Sequence, residues 1–130
     1  MSRLRRYLHF GLAGTVGFLL DAAVVTLATT GLQISPVPAQ IIAFSVAVIA
    51  TWNINRRWTF SEHASQNWIH ELARYVAANS TGAAVNNGTY LLLIYSFSLC
   101  ASEPALAVAA GSMAGMIFNY WGSKKLVFRN

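Results

Sequence analysis

Residues 8–30 read LHFGLAGTVGFLLDAAVVTLATT, and they follow a basic segment that contains Arg3, Arg5 and Arg6. A helix needs about 20 predominantly apolar residues to cross the hydrocarbon core of a bilayer, and this stretch supplies them. The stretch is too long for the apolar region of a signal peptide, and no convincing small-residue cleavage site accompanies it. We therefore predict that it is a retained first transmembrane helix.

The composition of the chain is typical of an integral membrane protein. Of the 130 residues, 55% are hydrophobic and 10% are charged, whereas a soluble domain carries about 25% charged residues. The formal net charge of +5 could suggest nucleic-acid binding, but the basic residues flank apolar stretches and form no soluble basic face. We therefore expect membrane lipids, and no nucleic acid, around these charges.

Three further stretches have the length and composition of transmembrane helices. They are expected at about 36–55, 75–98 and 104–122, which gives an all-α integral membrane protein with four spans. Pro36 falls in the first turn of the second helix, where proline is tolerated. The polar segment at about 61–74 is expected to form a loop or a short interfacial helix.

The positive charges predict the orientation of these helices. All nine Lys and Arg residues lie at the N-terminus, in the middle loop or at the C-terminus, and the two opposite turns contain none. Basic residues are enriched on the cytoplasmic side of membrane proteins. We therefore predict that both termini and the middle loop are cytoplasmic, and that a homodimer, if one forms, is parallel.

The two halves of the chain match each other at an offset of 68 residues without gaps. The first repeat covers about 6–60 and the second about 74–128, within a single membrane domain of residues 1–130. Because each repeat holds two crossings, both begin and end on the same side, and the repeat is parallel rather than inverted. The matched positions include Arg6 with Arg74, Pro36 with Pro104, Arg56-Arg57 with Lys124-Lys125, and Phe60 with Phe128.

Polar residues inside the predicted spans are candidates for a substrate pathway. Asp21 is the one acid deep inside a span, and it must face the interior, find a partner or stay protonated because a charge there is costly. It is a candidate contact for a substrate, a proton or a sugar hydroxyl, or else a structural bond between helices. Asn86 and Asn87 belong to an unusually polar third helix and are candidates to line a groove.

The cytoplasmic ends of the second and fourth helices combine basic residues with amides. Arginine offers a planar fork of donors and lysine a point charge, and both suit a phosphate. The positive-inside rule and contact with anionic lipid headgroups explain the same residues equally well. The residues concerned are Asn55, Arg56, Arg57, Asn119, Lys124 and Lys125.

Glycines in two helices predict close helix packing. Gly11, Gly14 and Gly17 recur every three residues in the first helix, and Gly111 and Gly115 form a GxxxG pair in the fourth. Small residues let helix backbones approach each other in a membrane. Either set is a candidate contact between the two chains of a parallel dimer.

Catalytic chemistry is not indicated by any motif. The sequence has no GxSxG, P-loop or HExxH pattern, and its four acids are scattered. His9, His63 and His70 do not have the spacing of metal ligands, and Cys100 is a lone cysteine. We therefore predict no enzyme, no metal site and no cofactor.

Three segments resemble the GtrA-like family of small membrane proteins. They are residues 6–17 (RYLHFGLAGTVG) with Asp21 following, residues 55–60 (NRRWTF) and residues 119–128 (NYWGSKKLVF). Their order and the four-span layout extend the resemblance over nearly the whole chain. The resemblance implies translocation of polyprenyl-phosphate-linked sugars across the bacterial inner membrane, for modification of a cell-envelope polysaccharide.

The residues predict how such a substrate would be held. The basic ends, namely Arg56, Arg57, Lys124 and Lys125 with help from Arg6 and Arg74, are expected to bind the lipid phosphate. Asp21 and the polar groove with Asn55, Asn86, Asn87 and Asn119 are expected to meet the sugar, while the lipid tail stays in the bilayer. Two alternatives are compatible with the residues: a small multidrug-type exporter that uses Asp21, and a non-transporting anchor for a membrane glycosyltransferase.

Overall fold

The computed structural model describes residues 2–128, and the regular elements in that range are all helical. This confirms the predicted all-α class. Arg129, the last of the nine basic residues, lies outside the described range. The α-helices are α1 (Arg3–Thr26), α2 (Pro36–Ile54), α3 (Trp68–Ser96), α4 (Ser98–Ser102) and α5 (Pro104–Gly122).

Three of these helices continue into a π-helical turn. Leu27–Gly31 follows α1, Asn55–Thr59 follows α2, and Ser123–Val127 follows α5. The latter two turns begin 68 residues apart, as do α2 and α5 themselves. Single π-turns are often found at functional sites, and these two carry the paired basic residues of the predicted phosphate site.

The helix boundaries agree with the sequence prediction for α2 and α5 and differ for α1 and α3. Helix α1 begins at Arg3, where Ser2 caps it: the Ser2 Oγ accepts a hydrogen bond from the Arg5 N–H at 3.2 Å. Helix α3 begins at Trp68, so the expectation that residues 68–74 are separate from the third helix was wrong. These residues contain no Gly or Pro, and polarity alone does not stop a helix.

Two helical segments of the described chain, Arg3–Gly31 and Pro36–Thr59, are long and apolar enough to cross a membrane. Large apolar side chains such as Leu12, Phe18 and Ile41 stay exposed along them. Contiguous apolar surface of this kind is unfavourable in water. In a bilayer it faces lipid, while the helical backbone satisfies its own hydrogen bonds.

The residues up to Leu72 form one compact unit, built on the pair of α1 and α2. Small residues bring the two helices together: Ala13 and Ala43 are buried. A Cβ atom built on Gly17 would lie 2.5 Å from the Thr51 Cγ2. Near the basic end, the rings of Phe10 and Phe60 meet edge to face with centroids 6.2 Å apart.

The residues from Ala73 onward form a second unit, in which this part of α3 runs antiparallel to α5. A Cβ built on Gly111 would lie 2.6 Å from the backbone oxygen of Asn86, which is near the middle of α3. At the end of α5, a Cβ built on Gly122 would lie 3.4 Å from the Ala78 Cβ. The antiparallel pairing therefore brings the part of α3 around Ala78 alongside the end of α5.

Candidate functional site

The first basic end (Arg6, Arg56 and Arg57) is organised by Glu71, the side chain of which is 0% exposed. The Arg56 Nε donates a hydrogen bond to the Glu71 Oε1 at 2.8 Å, and the Trp52 Nε1 donates to the same oxygen at 3.0 Å. Trp52 and Arg56 are four residues apart and share one face of the helix. The Arg56 guanidinium also lies 5.4 Å from the centroid of the Trp52 ring, a cation–π contact.

The same ion pair fixes the loop between α2 and α3. The Arg56 Nη2 donates to the backbone oxygen of Ser65, and the Ser65 N–H donates to the Glu71 Oε2. Trp68, at the start of α3, approaches Trp52 with ring centroids 6.3 Å apart. Arg56 is thus engaged by its own chain, and a phosphate would have to compete with Glu71 for it.

Arg57 and Arg6 have fewer contacts than Arg56. The exposed Arg57 donates from Nε to the Asn53 Oδ1 at 2.7 Å, one helical turn back. The Arg6 guanidinium lies 5.7 Å from the centroid of the Phe60 ring, and its Nε is buried without a hydrogen-bond partner. A guanidinium carries five N–H donors, so these contacts leave donors for a ligand.

Asn55, a predicted groove residue, lies inside the π-turn of the first unit. Its side chain is buried, and the Thr59 Oγ1 donates a hydrogen bond to its Oδ1 at 2.8 Å. The Asn55 amide therefore contributes to the packing of this turn.

The second basic end (Arg74, Lys124 and Lys125) has Glu71 three residues before Arg74 on α3, but that carboxylate is bound by Arg56. Lys124 is half-buried and Lys125 is exposed in the π-turn after α5. Within residues 73–128 the acid is Glu103, which precedes α5. That helix has 19 residues and so is about 28 Å long. Glu103 is therefore too distant to neutralise the lysines.

Two buried polar atoms at this end lack a hydrogen-bond partner. Ser123 is 0% exposed and its Oγ has no partner, and the Nε of Arg74 is likewise buried and unpaired. The rings of Tyr75 and Phe128 lie 6.1 Å apart. With the contact of Ala78 and Gly122 described above, this brings the part of α3 around Tyr75 and Ala78 to the end of α5 and the π-turn that follows it, and Arg74 is the residue before Tyr75.

The predicted groove residues of the second unit pack against glycines. A Cβ built on Gly111 would lie 2.7 Å from the Asn86 Oδ1, and one built on Gly82 would lie 1.7 Å from the Asn119 Oδ1. Each helix therefore provides the glycine against which an asparagine of the other packs. The Asn119 Oδ1 is buried without a hydrogen-bond partner, whereas Asn87 is exposed.

Asp21 lies half-buried within the apolar segment Arg3–Gly31. Its carboxylate accepts a hydrogen bond from the Gln40 Nε2 of α2 at 3.5 Å. This distance is at the long limit for a hydrogen bond, so the interaction is weak. The structure thus pairs the intramembrane acid with a neutral amide and not with a base.

The predicted packing glycines fall into two groups. Gly17, Gly111 and Gly115 are in close contact with the neighbouring helix of their own unit. Gly11 and Gly14 would have nothing within 4 Å of an added Cβ. Of the two dimer faces predicted from the sequence, the one at Gly111 and Gly115 is therefore already occupied by α3.

Sequence reasoning missed Glu71 and Gln40. The spacing of Trp52 and Arg56 at the end of an apolar helix is a signal that one acceptor could bind both side chains. The partner could not be named, because Glu71 follows a loop of unknown path. Gln40 carries no charge and lies near the start of an apolar helix, so it resembles an ordinary polar residue.

The two units define a helical membrane protein in which a few polar side chains are held between apolar helices. The model of the GtrA/DPMS transmembrane domain matches residues 9–129, and the chain belongs to this family. The chain is similar to the uncharacterized membrane protein YngA of Bacillus subtilis (strain 168), with 27% identity over 128 residues, which cover 98% of this chain and 80% of that protein. The family predicted from the sequence is confirmed.

Proposed function

We propose that this protein translocates a polyprenyl-phosphate-linked monosaccharide across the bacterial inner membrane, for modification of a cell-envelope polysaccharide. Membership of the GtrA/DPMS family supports the class of substrate, because the family is associated with the handling of lipid-linked sugars. The proposal includes four transmembrane spans, cytoplasmic termini and two parallel repeats, as the charge pattern predicts.

The pairing of Asp21 with Gln40 is the observation that carries the proposal. A charged residue near the centre of a span costs about 2.5–3.5 kcal/mol for insertion. The 3.5 Å contact with an amide compensates little of that cost. Acids inside membrane spans mark substrate or ion pathways, so transport explains why an acid is kept here.

The chemistry of this pair suits a sugar. A carboxylate accepts hydrogen bonds, an amide both donates and accepts them, and each sugar hydroxyl does both. Asp21 and Gln40 can therefore exchange their weak mutual bond for bonds to a sugar. The lipid tail needs no channel because it stays in the bilayer while the head group follows the polar residues.

A cluster of basic residues supplies the complement to the lipid phosphate, and each of the two basic ends is a candidate for it. Positively charged donors bind phosphate through charge-assisted hydrogen bonds, which are stronger than neutral ones. A cationic drug would be repelled by the same clusters, which favours the lipid-linked sugar over a multidrug-type exporter. A glycosyltransferase anchor would not need Asp21 at all.

Translocation in proteoliposomes tests the role of Asp21. The probe is a panel of polyprenyl-phosphate-linked hexoses, and the measurement is the fraction that crosses the bilayer with time. We expect Asp21→Asn to keep part of the wild-type rate, since the amide still hydrogen-bonds, and Asp21→Ala to lose nearly all of it. Thr89→Ala is the matched control, because Thr89 stands 68 residues after Asp21 and should tolerate the change.

The melting temperature of each variant in detergent is measured together with its translocation rate. Loss of translocation with an unchanged melting temperature supports a substrate contact. Equal loss for both Asp21 variants supports a proton or counter-charge role, as in an exporter. A stable Asp21→Ala protein that translocates at the wild-type rate would contradict the proposal. A protein that translocates no lipid-linked sugar but supports the activity of a membrane glycosyltransferase would be an anchor.

A further inference from the structure

We infer that the two basic ends have different roles, and that the phosphate group of the lipid binds at the second one. The binding residues assigned there are Arg74, Ser123, Lys124 and Lys125. In the first basic end, Arg56 instead holds its own unit together. The inference rests on the proposed function for the identity of the lipid, and it adds which half of the chain carries the phosphate.

Charge is the first reason for this assignment. In the first unit the buried carboxylate of Glu71 forms an ion pair with Arg56 and so lowers the positive potential there. The two lysines after α5 take part in no ion pair among residues 2–128. Arg74 has Glu71 one helical turn before it in α3, but that carboxylate is bound by Arg56. An anion is attracted most strongly where positive charge is not already neutralised.

Unsatisfied buried groups are the second reason. More than about 90% of buried polar groups in proteins have a hydrogen-bond partner, yet the Ser123 Oγ and the Arg74 Nε have none. In the first basic end the Arg6 Nε is also unpaired, but Asn55, the residue equivalent to Ser123, is bonded to Thr59. The Ser123 Oγ and the Arg74 Nε can both donate a hydrogen bond. A phosphate at the second basic end can accept a hydrogen bond from each of them.

The chemistry of the side chains is the third reason. In the first π-turn the basic residues are arginines, and Arg56 uses its planar group to bind a carboxylate, a backbone oxygen and an aromatic face. In the second π-turn the equivalent residues are lysines, which are mobile point charges. Lysines that are held by no ion pair among residues 2–128 can follow a head group that moves.

Binding of a polyprenyl monophosphate to the full-length protein in nanodiscs tests the inference. Lys124→Gln/Lys125→Gln should weaken binding by tenfold or more, because a hydrogen bond to a charged group is worth about tenfold to a hundredfold in affinity. Ser123→Ala should weaken it by about twofold to tenfold. Both lysine changes are at the surface of the π-turn and should leave the melting temperature unchanged.

Arg57→Gln is the matched control, since Arg57 is the exposed residue 68 positions before Lys125. It should bind the lipid nearly as well as wild type. Lys124→Arg/Lys125→Arg keeps both charges and should also retain binding. Equal losses for Arg57→Gln and Lys125→Gln, or wild-type binding by the lysine double variant, would overturn the assignment.

Two further lipids distinguish polyprenyl phosphate from a membrane phospholipid as the source of the bound phosphate. A polyprenol without phosphate should fail to compete, and its competition would overturn a phosphate site. Phosphatidylglycerol is expected to compete weakly. If phosphatidylglycerol binds through the lysines and polyprenyl phosphate does not, the phosphate site stands and the proposed function fails. If polyprenyl-linked sugar is translocated independently of the lysines, the function stands and this inference fails.

Discussion

The two basic ends follow equivalent helices, yet their side chains are engaged differently. In the first, Arg56 is held by Glu71, Ser65 and the Trp52 ring. In the second, Lys124 and Lys125 have no ion pair with any residue between 2 and 128, and Ser123 nearby is buried and unpaired. A single carboxylate that binds Arg56 is thus enough to give the two equivalent turns different side-chain partners.

Differences between the two repeats can give transport a direction. A transporter that treats both of its halves alike has no preferred place for an asymmetric substrate. Glu71 and Asp21 each lie outside the symmetry, since Asp21 is matched by Thr89. Function is therefore expected at the positions where the two repeats differ, such as Glu71 and Asp21.

Removal of Glu71 should have the largest effect on stability. Glu71→Ala leaves the partly buried Arg56 and the Trp52 N–H without their acceptor. Breaking a buried ion pair from one side typically costs about 3–5 kcal/mol. We expect a loss near the lower end of this range, because the Arg56 side chain is 25% exposed, measured as unfolding in detergent.

A double-mutant cycle shows whether this loss belongs to the pair. Arg56→Met should recover part of the stability when it is added to Glu71→Ala, because no unpaired charge is then left. Glu103→Gln removes an exposed carboxylate and should leave stability unchanged. Additive effects of the Arg56 and Glu71 changes would mean that the ion pair does not organise the first basic end.

Glycine substitutions should have an intermediate effect and should distinguish the two units. Gly111→Ala puts a Cβ 2.6 Å from the backbone oxygen of Asn86, which cannot move without displacing α3. Overpacking of this kind costs about 1–3 kcal/mol. The first unit accommodates an alanine at the equivalent position, Ala43, which is fully buried.

Gly14→Ala is the matched control for that substitution. Nothing lies within 4 Å of the added Cβ, and alanine favours a helix over glycine by about 0.5–1 kcal/mol. We therefore expect an unchanged or slightly raised melting temperature. A loss of stability for Gly14→Ala would point to a contact with a second copy of the chain at this open face.

Much of the fold could be predicted from the sequence, because apolar length and proline position are local properties. Pro36 and Pro104 mark the starts of α2 and α5 where expected. The start of α3 at Trp68 could not be predicted, because its first turns are polar. These turns carry Glu71, which binds Arg56. The sequence does not reveal this contact, because the two residues are far apart in the chain.

The candidate site was less predictable than the fold, because polar residues of one type can have different roles. The sequence treats Arg56 and Lys124 as equivalent basic residues, and only their partners distinguish them. Likewise, Asn55 and Asn119 are both amides near a basic pair. The structure places Asn55 in a bond with Thr59 and leaves the Asn119 Oδ1 unpaired.

The most direct test of the different roles is the initial rate of lipid-sugar translocation by Lys125→Gln and by Arg57→Gln in proteoliposomes. The two substitutions remove one positive charge from equivalent positions of the two units. At a lipid concentration below saturation, Lys125→Gln should be slower than wild type by about tenfold, and Arg57→Gln should remain close to wild type. Equal rates for the two variants, or a larger loss for Arg57→Gln, would contradict the account.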